Sequence, residues 1–238
     1  MFLSKAKGFG YLIWHPLLLR HLIIRETRYK DRHQSKQRWV EWQKYDSARA
    51  AAAFRDRTIE AIIRPFNVER LQIISNMVTH IGEGLNLLDV GGGDGVLGEH
   101  LCKMGNYVAS IDLPTVAVQI HRCQCLLAVV GDAERLPFTS NTFEIVLASE
   151  IVEHLWNPQS FLDEAYRVLG TDGHLIISTP EGKESLRYDS HKNYFTTERL
   201  SRLLGKKFKV VDVKRLTAVG TPTPTIIMLF RKLEASKS

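Results

Sequence analysis

Cysteine is scarce in this chain: three residues in 238, with no Cys-x-x-Cys pair. So few thiols exclude a disulfide framework, and a reducing, cytosolic setting is the expectation. A clean apolar run of spanning length is also missing. The longest candidate, FGYLIWHPLLLRHLII at 9–24, is broken by His15, Pro16, Arg20 and His21. It falls short of the roughly 20 residues that cross a bilayer and carries a charge inside it. It lacks the small-residue cleavage site of a secretory signal. Repeats and low-complexity tracts are absent. With 44% hydrophobic and 24% charged residues, the composition excludes wholesale disorder, collagen and coiled coil. The length suits one sizeable domain.

Excess charge is missing from most of the chain. Residues 50–238 hold 21 Lys+Arg against 22 Asp+Glu, whereas residues 1–49 hold 11 against 4. The formal +6 therefore belongs to an N-terminal arm, and the near-neutral body argues against a nucleic-acid partner. Three readings of the arm are open. It can be a helix packed on the body or on a second subunit of a homodimer. Residues 1–30 can meet a membrane surface, with Tyr11, Trp14 and the leucines in the headgroup region and the bases on anionic lipid. Trp39, Trp42 and Tyr45 can close a pocket as a lid. The expected division is an arm or lid over 1–49 and one domain over 50–238.

What the body has is strand and helix in alternation. Ile59, Ile62, Ile63, Phe66, Leu71, Ile74 and Val78 give an apolar stripe over 55–80, with Pro65 as a kink or break. Strands follow at 86–90, 107–112, 126–130, 143–149 and 174–179. Helices are expected at 95–104, near Pro114, at 158–169 and at 196–205. Such alternation predicts an α/β fold: a mostly parallel sheet with helices on both faces. Two late strands, 208–215 and 225–232, flank TAVGTPTPT with no helical pattern between them, which predicts an antiparallel edge.

Chemistry-bearing residues collect where strands end. LLDVGGGDG (87–95) is a short apolar strand ending in Asp89, then a turn of Gly91, Gly92, Gly93 and Gly95 into a helix. Glycine lets a ligand lie against the backbone, and open α/β sheets bind ligands beyond the carboxyl ends of their strands. Asp112 ends the second strand, 17 residues after Gly95, where a carboxylate can accept both ribose hydroxyls. That much also fits a nicotinamide dinucleotide. An acid directly before the glycines is atypical of a pyrophosphate cradle. After the third strand, GDAERLPF (131–138) offers Asp132 to an exocyclic amine, the Ala133 amide to a ring nitrogen, and Leu136, Pro137 and Phe138 as a wall.

In this order, LLDVGGGDG, ASID, GDAERLPF, FEIVLASEIVEHL and EAYRVLGTDGHLIISTP resemble the class I S-adenosylmethionine-dependent methyltransferases, over about residues 85–232. The resemblance implies a Rossmann-like seven-stranded sheet of order 3-2-1-4-5-7-6 with strand 7 antiparallel. It implies S-adenosyl-L-methionine as cofactor. Asp89 and Gly91–Gly93 would lie along its amino-acid part, Asp112 on the ribose, Leu113 beside the adenine, and Asp132 with Ala133 on the adenine edge. Gly91, Gly93 and Gly95 fill the family's glycine positions, and Gly92 and Asp94 its variable ones.

The segment Ser149-Glu-Ile-Val-Glu-His154 is similar to that of small-molecule enzymes, including the ubiquinone-biosynthesis O-methyltransferases. There Glu150, Glu153 and His154 would correspond to positions proposed to hold a divalent metal. Glu150 is also assigned to the cofactor side. His154 is open to three roles: general base, metal ligand, or a residue that orients substrate or structure. His191, in HKNYFT after strand five, is a second catalytic candidate, with Tyr188 and Tyr194 as pocket walls and Thr196 or Thr197 as the next helix cap. The Asn/Asp-Pro-Pro-Tyr/Phe of amino-directed nucleic-acid enzymes is absent after strand four. The expected function is methyl transfer to a small-molecule, lipid-linked or saccharide acceptor, at oxygen, by a cytoplasmic or membrane-peripheral enzyme. The alternative is a cofactor-binding scaffold without activity.

Overall fold

A computed structural model describes residues 65–93, 95–113, 126–187, 190–217 and 223–234. The arm of residues 1–49, Ile59, Ile62 and Ile63, the helix expected near Pro114, Asp94 and Tyr188 lie outside the described residues.

The sheet forms from runs of branched and aromatic residues, the first four of which stop at Gly91, Asp112, Gly131 and Ser149 and the fifth at Pro180. They are β1 (Asn86–Val90), β2 (Tyr107–Asp112), β3 (Leu126–Val130), β4 (Phe143–Ser149) and β5 (Leu169–Pro180), followed by β6 (Phe208–Leu216) and β7 (Thr225–Lys232). Their spatial order is 3-2-1-4-5-7-6. The first five pair in parallel, and β7 runs antiparallel to both β5 and β6. This is the Rossmann-like arrangement that the motif order implied.

Alternation along the strands sorts side chains onto two cores. Leu88 and Val90 of β1 face one, with Phe161 and Leu162 of α3 (Pro158–Val168) and Leu200 and Leu204 of α4 (Thr197–Leu204). Leu87 faces the other, with Ile74, Met77 and Val78 of α1 (Pro65–Ile81) and Leu101 of α2 (Val96–Lys103). Both faces are thus covered, which is why the strands read as nearly continuous apolar runs.

Differences from the sequence expectations are local. Pro65 is the first described residue of α1. β5 starts at Leu169, five residues before the expected strand. Leu169 pairs with Phe143, and an irregularity intervenes before His174 pairs with Ile145. The Gly-Thr-Asp-Gly stretch at 170–173 lies within this strand. Thr196 caps α4, its hydroxyl accepting from Arg199 N at 3.2 Å, a contact worth about 1 kcal/mol.

Candidate active site

The glycine turn closes the carboxyl end of β1. Gly91, Gly93 and Gly95 take φ of 73°, 54° and 79°, the left-handed region that side chains disfavour. Gly91 N donates to Ile111 O at 2.8 Å and Gly95 N to Gly92 O at 2.8 Å, which folds the turn back over β2. A Cβ at Gly91 would stand 2.4 Å from Ile151 Cδ1, so the segment after β4 lies directly on the turn. Gly92, the position that resemblance leaves variable, is the tightest of all. A Cβ there would stand 1.8 Å from Ser110 Oγ and 2.9 Å from Asp89 Oδ2.

Asp89 lies beneath this turn and is 1% exposed. One of its oxygens also faces Gly98 of α2, where a Cβ would approach it to 3.3 Å. Asp112 stands at the rim. Its Oδ2 accepts from Gly93 N at 2.9 Å and its Oδ1 from Leu113 N at 2.6 Å. Burial raises its pKa, and the two backbone donors pull it back in part. Each oxygen keeps a second lone pair for a hydroxyl donor. Asp132, two residues beyond β3, stands in a tight turn, its Oδ1 accepting from Glu134 N at 2.9 Å. Ala133 is half-buried against the core. Glycines that would clash if filled and an acid at each of two adjacent strand ends fit a nucleoside-bearing cofactor along the edge of β1, β2 and β3.

The second half of the site follows β4. Glu150 holds φ of 57°, an unusual conformation for a side-chain-bearing residue, costing about 1–3 kcal/mol and found most often at functional sites. Its N donates to Ser178 O at 2.9 Å, and its carboxylate accepts from Ser178 Oγ at 3.0 Å. Arg70 of α1 approaches it to 3.6 Å. Burial raises the Glu150 pKa, with Arg70 and Ser178 opposing. Glu153 is 1% exposed and accepts from Thr179 Oγ1 at 3.0 Å. Burial first, and the neighbouring Glu150 second, push its carboxyl well above the usual range.

A short 3₁₀ turn, Val152–His154, presents His154. Its Nδ1 lies 2.8 Å from Ser190 O. A carbonyl only accepts, so Nδ1 carries the hydrogen and the neutral ring keeps its lone pair on Nε2. Nε2 is 3.9 Å from Glu153 Oε1. The His191 ring packs edge-on against His154, with centroids 4.8 Å apart. Burial, then the neighbouring His154, lowers the His191 pKa to about 4. The loop bearing His191 is tied down by Lys192 N and Asn193 N on Glu153 O at 2.8 and 3.0 Å, and by Asn193 Nδ2 on Leu155 O at 2.7 Å.

The structure therefore joins His154 and His191, both expected at the site. It regroups the three residues linked by resemblance to a metal. Glu150 turns to Arg70 and Ser178, and the possible ligand atoms that converge within 4.8 Å are those of Glu153, His154 and His191. Tyr194 lies under the Arg199 guanidinium at 4.2 Å. Arg70, Ser178, Thr179 and Asn193 were not anticipated. Ser178 and Thr179 at the end of β5 carried a signal, since hydroxyls at a parallel strand terminus face the ligand edge. Arg70, on a helix before the sheet, carried none.

Residues 88–177 match the family profile described as a methyltransferase domain. The chain carries a class I S-adenosylmethionine-dependent methyltransferase domain. It is 36% identical over 104 residues to a ubiquinone/menaquinone biosynthesis C-methyltransferase of Ruegeria sp., covering 40% of this chain and 42% of that one. It is 32% identical over 135 residues to a ubiquinone biosynthesis O-methyltransferase of Azorhizobium caulinodans, covering 50% and 53%. The chain thus spans about half the length of these relatives. The fold is shared with N-methyltransferase NodS of Bradyrhizobium japonicum, solved with S-adenosyl-L-homocysteine, at 18% identity and TM-score 0.68, over 80% of this methyltransferase-domain chain and 99% of that one.

Proposed function

We propose that this protein transfers a methyl group from S-adenosyl-L-methionine to an oxygen of a small-molecule or lipid-linked acceptor, with His154 as the general base. The observation that carries the reading is the seating of Ile151 on Gly91, which brings the His154 turn to the edge of the cofactor cradle. The oxygen-methylating and carbon-methylating ubiquinone relatives support an aromatic, isoprenoid-bearing acceptor class.

S-adenosylmethionine supplies a methyl group on sulfonium, already activated toward a nucleophile. The protein supplies alignment, desolvation and a proton acceptor. Asp89 and Gly91–Gly93 would lie along the cofactor's amino-acid part. Asp112 would accept the ribose hydroxyls, Leu113 flank the base, and Asp132 with Ala133 read its edge. Glu150, fixed by Arg70 and Ser178, would meet the cofactor's polar end. His154 Nε2 takes the acceptor hydroxyl proton while Ser190 O holds the ring through Nδ1–H. His191, neutral at working pH, walls the acceptor side.

Among the described residues no helix is long and apolar enough to cross a membrane. Residues 1–30 are proposed to bring the enzyme to the membrane surface from the cytoplasm, as a lipid-linked acceptor requires. The test is release of S-adenosylhomocysteine with polyprenylated catechol, simple catechol and saccharide acceptors, for wild type and His154→Gln. Turnover on an oxygen acceptor, lowered about 10²- to 10⁴-fold in the variant, is the expected result. Equal turnover of both proteins overturns the base assignment. Cofactor binding without turnover on any acceptor favours the scaffold reading.

A further inference from the structure

The strand-β3 loop is held by one helix at three places. Leu136 N donates to Glu164 Oε2 at 2.8 Å, and Arg167 donates from Nη2 to Leu136 O at 3.1 Å and from Nη1 to Phe138 O at 2.7 Å. The same guanidinium grips Glu164 through Nε and Nη2, at 2.7 and 2.8 Å. Nearer the start of the loop, Glu134 Oε1 accepts from Asn157 N, at the cap of α3, at 2.8 Å. Four of the five guanidinium N–H groups are thereby spent on one carboxylate and two carbonyls flanking Pro137. Lysine, a point donor on a flexible stem, cannot reproduce that pattern.

Packing alone already buries the apolar part of this loop: Leu136 and Phe138 are each 4% exposed, and Phe138 meets Phe143 edge-on at 5.1 Å. The polar clamp adds direction. It fixes the backbone that leads into the Asp132 turn, where Asp132 Oδ1 is already held by Glu134 N. A carboxylate and an amide read an amine-bearing ring edge only if both are placed to within a few tenths of an ångström.

Resting on the proposed function, we propose that Arg167 and Glu164 are positioning residues for adenine recognition. They hold the Asp132–Phe138 loop so that Asp132 and the Ala133 amide discriminate a 6-amino from a 6-oxo purine. Neither residue touches the cofactor, and their effect passes through the loop.

The experiment is calorimetric titration of the full chain with S-adenosylhomocysteine and with S-inosylhomocysteine. The 6-oxo ring sets a carbonyl against the carboxylate and an N–H against an N–H. Wild type is therefore expected to prefer the adenine compound by about a hundredfold, at roughly tenfold per mismatched contact. Arg167→Met, which keeps the buried stem, is expected to reduce that ratio to below about tenfold, with Arg167→Lys between the two. A role confined to fold stability lowers the melting temperature and leaves the ratio alone. Should Arg167→Met fail to fold, Glu164→Ala gives the same reading from a partly exposed position. A folded Arg167→Met or Glu164→Ala with the wild-type ratio overturns the proposal. Wild type that binds neither compound overturns the parent reading, and this one with it. Wild type that binds both alike overturns the adenine contact itself.

Discussion

Ile151 lies on Gly91, so close that a Cβ at Gly91 would stand 2.4 Å from Ile151 Cδ1. The glycine turn proposed to cradle the cofactor and the turn that carries His154 are therefore in contact, and each limits what the other can become.

Gly91→Ala and Gly93→Ala separate the two reasons for glycine here. At Gly93 the nearest atom to a Cβ would be 3.9 Å away, so only the left-handed backbone opposes the substitution, a cost of about 1–2 kcal/mol. At Gly91 the same backbone cost is joined by the collision with Ile151. Thermal denaturation of both variants should show Gly91→Ala as the less stable, with the larger loss of S-adenosylhomocysteine affinity. Equal losses would mean that Ile151 moves aside freely.

Glu153→Gln tests the buried carboxyl. Its pKa is raised by burial and by Glu150, so the fold binds this proton more tightly than the unfolded chain does. The stability from that proton is present at low pH and is lost as pH rises from the usual carboxylate range through the raised value. Glutamine keeps an oxygen for Thr179 Oγ1 and has no proton to lose. The variant should gain stability relative to wild type as pH rises from about 4.5 to 8, where ordinary carboxylates ionise at the start of that window. Melting temperatures across the range check this. Parallel curves would show that Glu153 ionises without strain.

His191→Asn works in the other direction. The His191 pKa is pushed down to about 4 by burial and by His154, so the unfolded chain takes up the proton first. Wild type should lose stability as pH falls from about 6.5, the ordinary histidine value, toward the depressed one. His154 and Glu153 face the same ring and remain in the variant. The stability difference between variant and wild type should shift in the variant's favour over that acid window. A difference that stays constant would mean that His191 titrates normally.

Much of this architecture was legible in the chain. β1, β2, β3, β4 and β7 coincide with their apolar runs because each run is bounded by a residue that stops a buried strand, such as Asp89-Val90 before Gly91 or Asp112 before Leu113. The family resemblance also singled out Gly91, Gly93 and Gly95, the three glycines of this turn with positive φ. It could not tell that Gly92 faces Ser110, because that depends on the register of β1 against β2. Nor could it show that Ser190 O, 36 residues along the chain, fixes the His154 tautomer. The approach of Arg70 to Glu150 depends on where α1 packs on the sheet, a tertiary fact with no local signature.

The central claim is that the edge over β1, β2 and β3 binds S-adenosylmethionine through Asp112. Calorimetric titration of the full chain with S-adenosylhomocysteine and NAD, in wild type and Asp112→Ala, tests it most directly. The account predicts one-to-one binding of S-adenosylhomocysteine, none of NAD, and at least about tenfold weaker binding in the variant, the equivalent of one hydrogen bond to a charged acceptor. No heat with S-adenosylhomocysteine in a folded sample, or equal affinity in Asp112→Ala, would contradict it.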